Sequence, residues 1–216
     1  MDFHLIPRGE DRNYTGFLTK TIVYSGSLIV FIAAFALSLA SIIVPNWVSY
    51  HSTSSTPGSK DYHYTYGLHR RCSSLTDTCD SFPKKEDCLG EDRYFCSMWR
   101  TVGFMMSFAV VLEAMSVVAW IIIISGSKRM RENGWKVLVV LILIGAGIQI
   151  GAVGIVAYLV DNEERFFIGW RLDMSWIFCT VSWCVSLVTA GALIFAAHTL
   201  PSEGGYELIP DSNPDY

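Results

Sequence analysis

Four cysteines that could form disulfides or bind a metal lie in one polar segment between two long apolar stretches. Cys72, Cys79, Cys88 and Cys96 all fall within residues 46–98. Three pairings are possible, and we predict the sequential one, 72–79 and 88–96, because each bond then closes a short hairpin-like loop. A zinc site is the alternative, but the segment has no Cys-x-x-Cys spacing. Two disulfides would place the segment on the oxidising side of a membrane.

Two polar side chains interrupt apolar stretches and could do chemistry inside a membrane. Glu113 lies midway along residues 99–125 and Gln149 midway along 135–160. The link between the stretches is short, so the two run antiparallel and their midpoints meet at similar depth. We expect a structural Glu113–Gln149 hydrogen bond. The alternative is a proton or cation site at Glu113. The apolar residues 21–45, 101–127, 137–160 and 174–197 hold no second carboxylate and no Lys, Arg or His that would complete a relay.

No arrangement typical of an enzyme accompanies these residues. His51, His63 and His69 share the polar segment with several serines, but no Gly-x-Ser-x-Gly or Cys–His context surrounds them. The glycine-rich part of the third stretch is apolar and does not resemble a phosphate-binding loop. We therefore expect no enzymatic activity, no cofactor and no bound metal.

The composition indicates the environment in which these residues work. Of the 216 residues 51% are hydrophobic and 17% charged, against about 25% charged in average soluble domains. The apolar residues are concentrated in four stretches, and a bilayer core about 30 Å thick needs roughly 20 such residues per helix. We therefore predict four transmembrane helices in a lipid bilayer. A net charge of −4 without a basic cluster argues against a nucleic-acid partner.

Lysine and arginine predict the orientation of the helices. The link between the second and third stretches holds Lys128, Arg129, Arg131 and Lys136, whereas residues 161–173 carry more acids than arginines. Positively charged short loops stay in the cytoplasm, so both termini are expected there. The predicted organisation is a cytoplasmic N-terminus at 1–20, transmembrane helices at 21–45, 99–125, 135–160 and 174–198, an extracellular loop at 46–98, a cytoplasmic loop at 126–134, a short extracellular loop at 161–173, and a disordered cytoplasmic tail at 199–216.

Local patterns add a sheet and a packing motif. Tyr62, Tyr64 and Tyr66 alternate with other residues, which is typical of a strand. We predict an all-α membrane protein: a four-helix transmembrane bundle with a small disulfide-braced extracellular antiparallel β-sheet. Trp47, directly after the first stretch, is expected to anchor at the membrane interface. Gly147 and Gly151 form a Gly-x-x-x-Gly motif for close helix contact, within the chain or, alternatively, between chains.

One set of residues resembles a known family. Trp47, then Gly67-Leu68-His69-Arg70-Arg71-Cys72, then Cys79, resembles the claudin-type signature W…GLW-x-x-C…C, and Arg100 matches the family's arginine at the start of the second helix. His69 stands where the family has tryptophan, Cys88 and Cys96 are additional, and the tail lacks the junctional C-terminal valine. The phrases YGLHRRCSS, GEDRYFCSMWR and DNEERFFIGWRLD are most similar to fungal claudin-like plasma-membrane proteins of the claudin/PMP type.

The resemblance implies a left-handed four-helix bundle with an extracellular antiparallel sheet, in which the signature residues Trp47, Gly67, Leu68, Cys72, Cys79 and Arg100 are structural. It also implies a structural or organising role in the plasma membrane, related to the cell wall or to polarity, with membrane-protein partners or self-association. An auxiliary subunit of a channel, transporter or synthase is the alternative. A small transporter using Glu113 is a third hypothesis.

Overall fold

The computed structural model describes residues 20–52, 62–84, 86–89, 93–126 and 128–199. Its four long helices are α1 (Lys20–Ile43), α2 (Arg93–Ser125), α3 (Lys128–Asn162) and α4 (Met174–Thr199). All four are long and apolar enough to cross a membrane. The helices form an antiparallel bundle in which α1 and α3 each pack against both α2 and α4.

Two helices extend further than the apolar stretches that predicted them. α2 begins at Arg93 rather than at residue 99, and α3 begins at Lys128 rather than at 135, so the predicted cytoplasmic loop 126–134 is mostly helix. The backbone hydrogen bonds of a helix are internal, and nothing requires it to end where the apolar residues end. The predicted N-terminus 1–20, except for Lys20, and the tail from residue 200 lie outside the described residues.

A five-stranded antiparallel sheet sits at one end of the bundle, which we call the sheet end. Its spatial order is β4-β3-β2-β1-β5. The strands are β1 (Val48–Ser52), β2 (Tyr62–Tyr66), β3 (Arg70–Ser73), β4 (Thr78–Ser81) and β5 (Trp170–Leu172). The tyrosine alternation correctly predicted β2. The short strand β5 was not predicted, because three residues are too few to show a period of two.

Both predicted disulfides are present. Cys72 and Cys79 are directly opposite each other on β3 and β4 and are bonded across the hairpin. Asp77, in the turn between these strands, adopts a left-handed backbone conformation with φ 49°. Cys88, in a single 3₁₀ turn (Glu86–Cys88), is bonded to Cys96 in the first turns of α2. One bond therefore braces the sheet edge, and the other attaches the following turn to the bundle.

Two apolar cores fill the protein. The first lies at the sheet end and includes Trp47, Tyr66, Phe95 and Trp99. The second lies at the opposite end of the bundle, around Trp120. The indole Nε1 of Trp120 donates to the carbonyl oxygen of Tyr24 at 3.2 Å, which satisfies a polar atom inside this core. The helices are thus packed at both ends, and their middle is occupied by polar side chains.

Candidate functional site

Trp47 follows α1 and the turn at Pro45, and it belongs to the sheet-end core. Its side chain is fully buried, and its indole Nε1 donates to the carbonyl oxygen of Ser41 at 2.7 Å. Its backbone N–H donates to Tyr66 and its carbonyl oxygen accepts from Asp173. The prediction that Trp47 anchors at the membrane interface is therefore wrong. It joins α1, the sheet and the start of α4 instead.

Gly67 lies where the end of β2 passes directly over the chain after α1. A Cβ atom at this position would overlap the Cα of Pro45. The Gly67 carbonyl oxygen accepts a hydrogen bond from Trp99 Nε1 on α2 at 3.2 Å, and its N–H donates to the Arg70 carbonyl oxygen at 2.7 Å. Leu68 beside it is buried in the same core. Glycine is required here because two backbone segments touch.

Tyr66 is the centre of an aromatic cluster that holds the sheet on the helices. Its ring centroid lies 4.7 Å from that of Phe82 and 5.3 Å from that of Trp170, and it also contacts Trp99 and Phe166. Burial raises the pKa of the Tyr66 hydroxyl well above its usual 10.0. Aromatic contacts of this kind stabilise by about 0.5–1.5 kcal/mol each beyond the area they bury. The sheet therefore packs directly on the helices through this cluster.

Asp87 in the 3₁₀ turn connects the outer strands to the bundle. Its carboxylate accepts from Arg71 on β3 at 3.0 Å and from the backbone N–H of Lys84 at 3.1 Å. Its carbonyl oxygen accepts from the guanidinium of Arg165 at 3.4 Å, and Arg165 also stacks over the ring of Phe95. Three segments distant in sequence meet at this one residue.

Arg100, the last of the signature residues, is exposed on α2. One of its guanidinium nitrogens lies 3.9 Å from the sulfur of Cys88. Among the described residues it forms no ion pair. His69, which replaces the family's tryptophan, lies over Gly103 of α2, where a Cβ would meet its ring at 3.4 Å. The signature residues of the sheet and of α2 thus lie together at the sheet end.

A polar cluster occupies the middle of the bundle, with one side chain from each helix: Ser38, Glu113, Gln149 and Ser182. The expected Glu113–Gln149 hydrogen bond is present, with Gln149 Nε2 donating to Glu113 Oε1 at 2.9 Å. Gln149 Nε2 also lies 2.7 Å from Ser38 Oγ. Glu113 is 4% exposed. Unlike the predicted pair, the cluster joins all four helices.

Each serine of this cluster has a hydrogen-bond acceptor. Ser38 Oγ donates to Glu113 Oε1 at 3.0 Å, and Ser182 Oγ donates to the Ala34 carbonyl oxygen at 2.8 Å. The two serine hydroxyls also lie 2.7 Å apart, where either can donate to the other. Glu113 Oε1 therefore accepts from both Ser38 and Gln149, which joins α2 to α1 and α3 at this depth.

The two serines of this cluster were not recognised from the sequence. In the sequence, Ser38 is one of several small residues of the first apolar stretch, and Ser182 lies within the fourth. A usable signal was present, since both lie near the midpoint of a predicted span, at the depth expected for Glu113 and Gln149. Buried polar side chains need partners at their own depth.

The glycine motif of α3 behaves differently from the prediction. Gly147 is exposed, and a Cβ there would meet nothing within 4 Å. At Gly151 a Cβ would lie 2.9 Å from the flexible end of Met105 on α2. The prediction of close packing within the chain is therefore wrong for Gly147, which lies on an exposed side of α3. For Gly151 it agrees with the contact to Met105 on α2.

An aromatic groove of about 340 Å³ opens beside the aromatic cluster. Tyr64, Tyr50 and Trp170 stand in one row across β2, β1 and β5, because their Cα atoms are register partners. Phe167, which precedes β5, closes the groove over Tyr50 at 5.2 Å between ring centroids and is 57% exposed. The Trp170 Nε1 is buried without an acceptor among the described residues. Flat aromatic faces with phenol hydroxyls suit contact with another polar molecule.

Two histidines stack on the opposite face of the sheet. The rings of His51 and His63, register partners on β1 and β2, lie 3.9 Å apart between centroids. Burial, and then the adjacent His51, lower the pKa of His63 below its usual 6.5. Arg171 lowers it further and Asp173 opposes the shift. Within the described residues, no group of three His, Cys, Asp or Glu side chains is placed to hold a metal ion.

Four apolar helices and a sheet with two disulfides define a multi-pass membrane protein with a disulfide-braced sheet at one end. No protein-family model matches the chain, and no curated protein sequence matches it.

Proposed function

We propose that this chain is a claudin-like protein of the plasma membrane with a structural, organising role. The observation that carries the proposal is that the residues of the claudin-type signature lie together at the sheet end. Trp47 is buried beneath the sheet, the Gly67 carbonyl oxygen accepts a hydrogen bond from Trp99, and Cys72 forms a disulfide with Cys79. The sheet is thereby presented in a fixed orientation above the membrane. Such a surface suits lasting contacts between neighbours better than turnover of a substrate.

The proposed orientation places the sheet outside the cell and both termini in the cytoplasm. The basic residues of 126–136 lie at the end of the bundle opposite the sheet, since α2 runs from the sheet end to Ser125. Positively charged short links stay in the cytoplasm, and disulfides persist outside it. Both arguments support the same orientation. The aromatic groove would then face the cell wall or neighbouring membrane proteins.

The experiment compares the location of the tagged wild-type protein with that of Cys72→Ser/Cys79→Ser. Cys184→Ser is the matched control, because Cys184 is an exposed free cysteine on α4 and makes no disulfide. The proposal expects plasma-membrane localisation for wild type and control, and a lost or dispersed pattern together with altered membrane organisation for the double variant. Unaltered localisation, organisation and growth in the double variant would contradict it.

The second candidate is an auxiliary subunit of a channel, transporter or synthase. It is favoured by α3, where Gly147 and Gly154 are both exposed and a Cβ at either would meet nothing within 4 Å. Small exposed residues let a second helix approach closely in a membrane. Gly147→Leu should then abolish co-purification with one stoichiometric partner, whereas Gly191→Leu, at an equally open position on α4, should not. Retained association in Gly147→Leu would exclude docking through this face.

A transporter using Glu113 is the third hypothesis. The hydrogen bonds of its carboxyl to Ser38 and Gln149 and its burial favour a structural role. Flux measurements in proteoliposomes with wild type and Glu113→Gln distinguish the two. An ion or proton flux that is lost in the variant would restore the transport hypothesis.

A further inference from the structure

A cavity of about 540 Å³ opens on the first turns of α2, at the sheet end of the bundle. We propose that it binds the headgroup phosphate of an anionic phospholipid in the leaflet on the sheet side. Two arginines, two hydroxyls, one phenylalanine and the second disulfide line it: Arg93, Arg100, Ser97, Thr101, Phe104 and Cys88–Cys96. The inference goes beyond the proposed organising role and does not depend on it.

The lining residues share one face of α2. Arg93, Ser97, Arg100, Thr101 and Phe104 follow each other at intervals of three or four residues or as immediate neighbours, which places them on a single side of the helix. All five are exposed. Helical side chains lean toward the N-terminus, which for α2 is away from the bilayer centre. Both arginines therefore line one cavity just beyond the apolar stretch that follows Arg100, which is where the proposal places the lipid headgroup.

Arg100 also lacks a competing carboxylate among the described residues. Elsewhere at this end of the protein Arg71 is paired with Asp87 and Lys84 with Asp80. Arg100, by contrast, contacts the disulfide sulfur of Cys88 at 3.9 Å and forms no salt bridge within the described part of the chain. Guanidinium groups bind phosphate oxygens with paired, charge-assisted hydrogen bonds, and the Ser97 and Thr101 hydroxyls are further donors.

The position along α2 indicates a lipid as the source of the phosphate. Arg100 is directly followed by a stretch without charged residues that continues to Glu113. Phe104 and Phe108, 72% and 46% exposed, lie below the guanidiniums with their rings parallel and 6.2 Å apart between centroids. An acyl chain can lie along these two rings while its headgroup contacts the arginines. A free phosphate ion would use the arginines and leave the rings uncovered.

The test measures lipid binding to the purified, delipidated full-length protein by native mass spectrometry. The probes are dioleoyl phosphatidylglycerol, dioleoyl phosphatidylcholine and inorganic phosphate as a competitor. Arg93→Gln/Arg100→Gln removes the proposed contacts. Arg70→Gln/Arg171→Gln removes the same charge from two exposed arginines of β3 and β5, outside the cavity. We expect the wild type and this control to prefer phosphatidylglycerol, and the first variant to bind it about ten-fold or more weakly.

Three results would overturn the inference. These are equal binding of phosphatidylglycerol and phosphatidylcholine by the wild type, undiminished binding in Arg93→Gln/Arg100→Gln, and displacement of the lipid by inorganic phosphate at a similar concentration. Phe104→Ala/Phe108→Ala tests the lipid part separately and leaves the charges unchanged. It should weaken binding of the dioleoyl lipid but not of its dihexanoyl analogue. Equal weakening of both, or of neither, would contradict the proposed path of the acyl chain.

Discussion

Trp99 on α2 donates its indole N–H to the carbonyl oxygen of Gly67 at the end of β2, at 3.2 Å. This bond joins a helix that spans the membrane to the turn from which β3 begins. Both residues are buried, and Tyr66, next to Gly67, packs against the same indole. Sheet and bundle therefore share one core, and a change at this contact should be felt by both.

Gly67→Ala should destabilise the sheet end. The added methyl group would overlap the backbone of Pro45, and neither chain segment can move without breaking the hydrogen bonds of Gly67 and Trp47. Overpacking of this kind costs about 1–3 kcal/mol. Thermal unfolding in detergent should show a lower Tm. Gly191→Ala, where a Cβ meets nothing within 4 Å, is the control and should unfold like the wild type. An unchanged Tm for Gly67→Ala would mean that the backbones do not touch.

The central polar cluster joins the four helices through Ser38, Glu113, Gln149 and Ser182. Ser38 Oγ and Gln149 Nε2 both donate to Glu113 Oε1, so the Glu113 carboxyl is the shared acceptor of this cluster.

The same cluster makes Glu113→Ala a stability test. The substitution removes the contacts with Ser38 and Gln149, and interhelical hydrogen bonds in membranes contribute about 0.6 kcal/mol each on average. We expect a loss of about 1–2 kcal/mol, measured by unfolding in mixed micelles. Ser107→Ala is the control on the same helix, since the Ser107 hydroxyl donates to the backbone oxygen of Gly103 within α2. A larger loss in the control would refute a joining role for Glu113.

The two disulfides should differ in what their removal disturbs. Either bond closes a short loop, which in the chain-entropy account stabilises by about 2–3 kcal/mol. Cys72–Cys79 lies in the β3–β4 hairpin at the sheet edge, whereas Cys96 is 2% exposed in the core. Cys88→Ser/Cys96→Ser should therefore lower the Tm more than Cys72→Ser/Cys79→Ser. The reverse order would show that the hairpin matters more for stability than the attachment of the 3₁₀ turn.

The stacked histidines predict a dependence on pH. The pKa of His63 is below 6.5 in the folded sheet, so the unfolded chain binds the proton more readily. Stability is then full above pH 6.5 and falls as the pH drops below it. Hydrogen exchange of β1 and β2 amides should increase over that range. His51→Gln should reduce the effect without abolishing it, because burial is the larger cause. His69→Gln is the control, and an equal pH response in wild type and His51→Gln would contradict the stack.

The sequence predicted the helices, the tyrosine strand and the pairing of the cysteines, because each depends on local composition or short spacing. It did not predict β5, since Trp170–Leu172 becomes a strand only by pairing with β1. It misplaced Trp47, because an indole between an apolar stretch and a polar segment has the same local pattern whether it faces lipid or a sheet. It also missed Ser38 and Ser182, whose importance depends on the rotation of helices that meet only in the folded bundle.

The most direct test of the organising role is cross-linking of the protein in intact cells, followed by mass spectrometry of its neighbours. The wild type, Cys72→Ser/Cys79→Ser and the control Cys184→Ser are compared at equal expression. The proposal predicts self-association and several membrane and wall-related neighbours for wild type and control, and their loss in the double variant. A single stoichiometric partner that persists when the disulfide is removed would contradict it and indicate an auxiliary subunit.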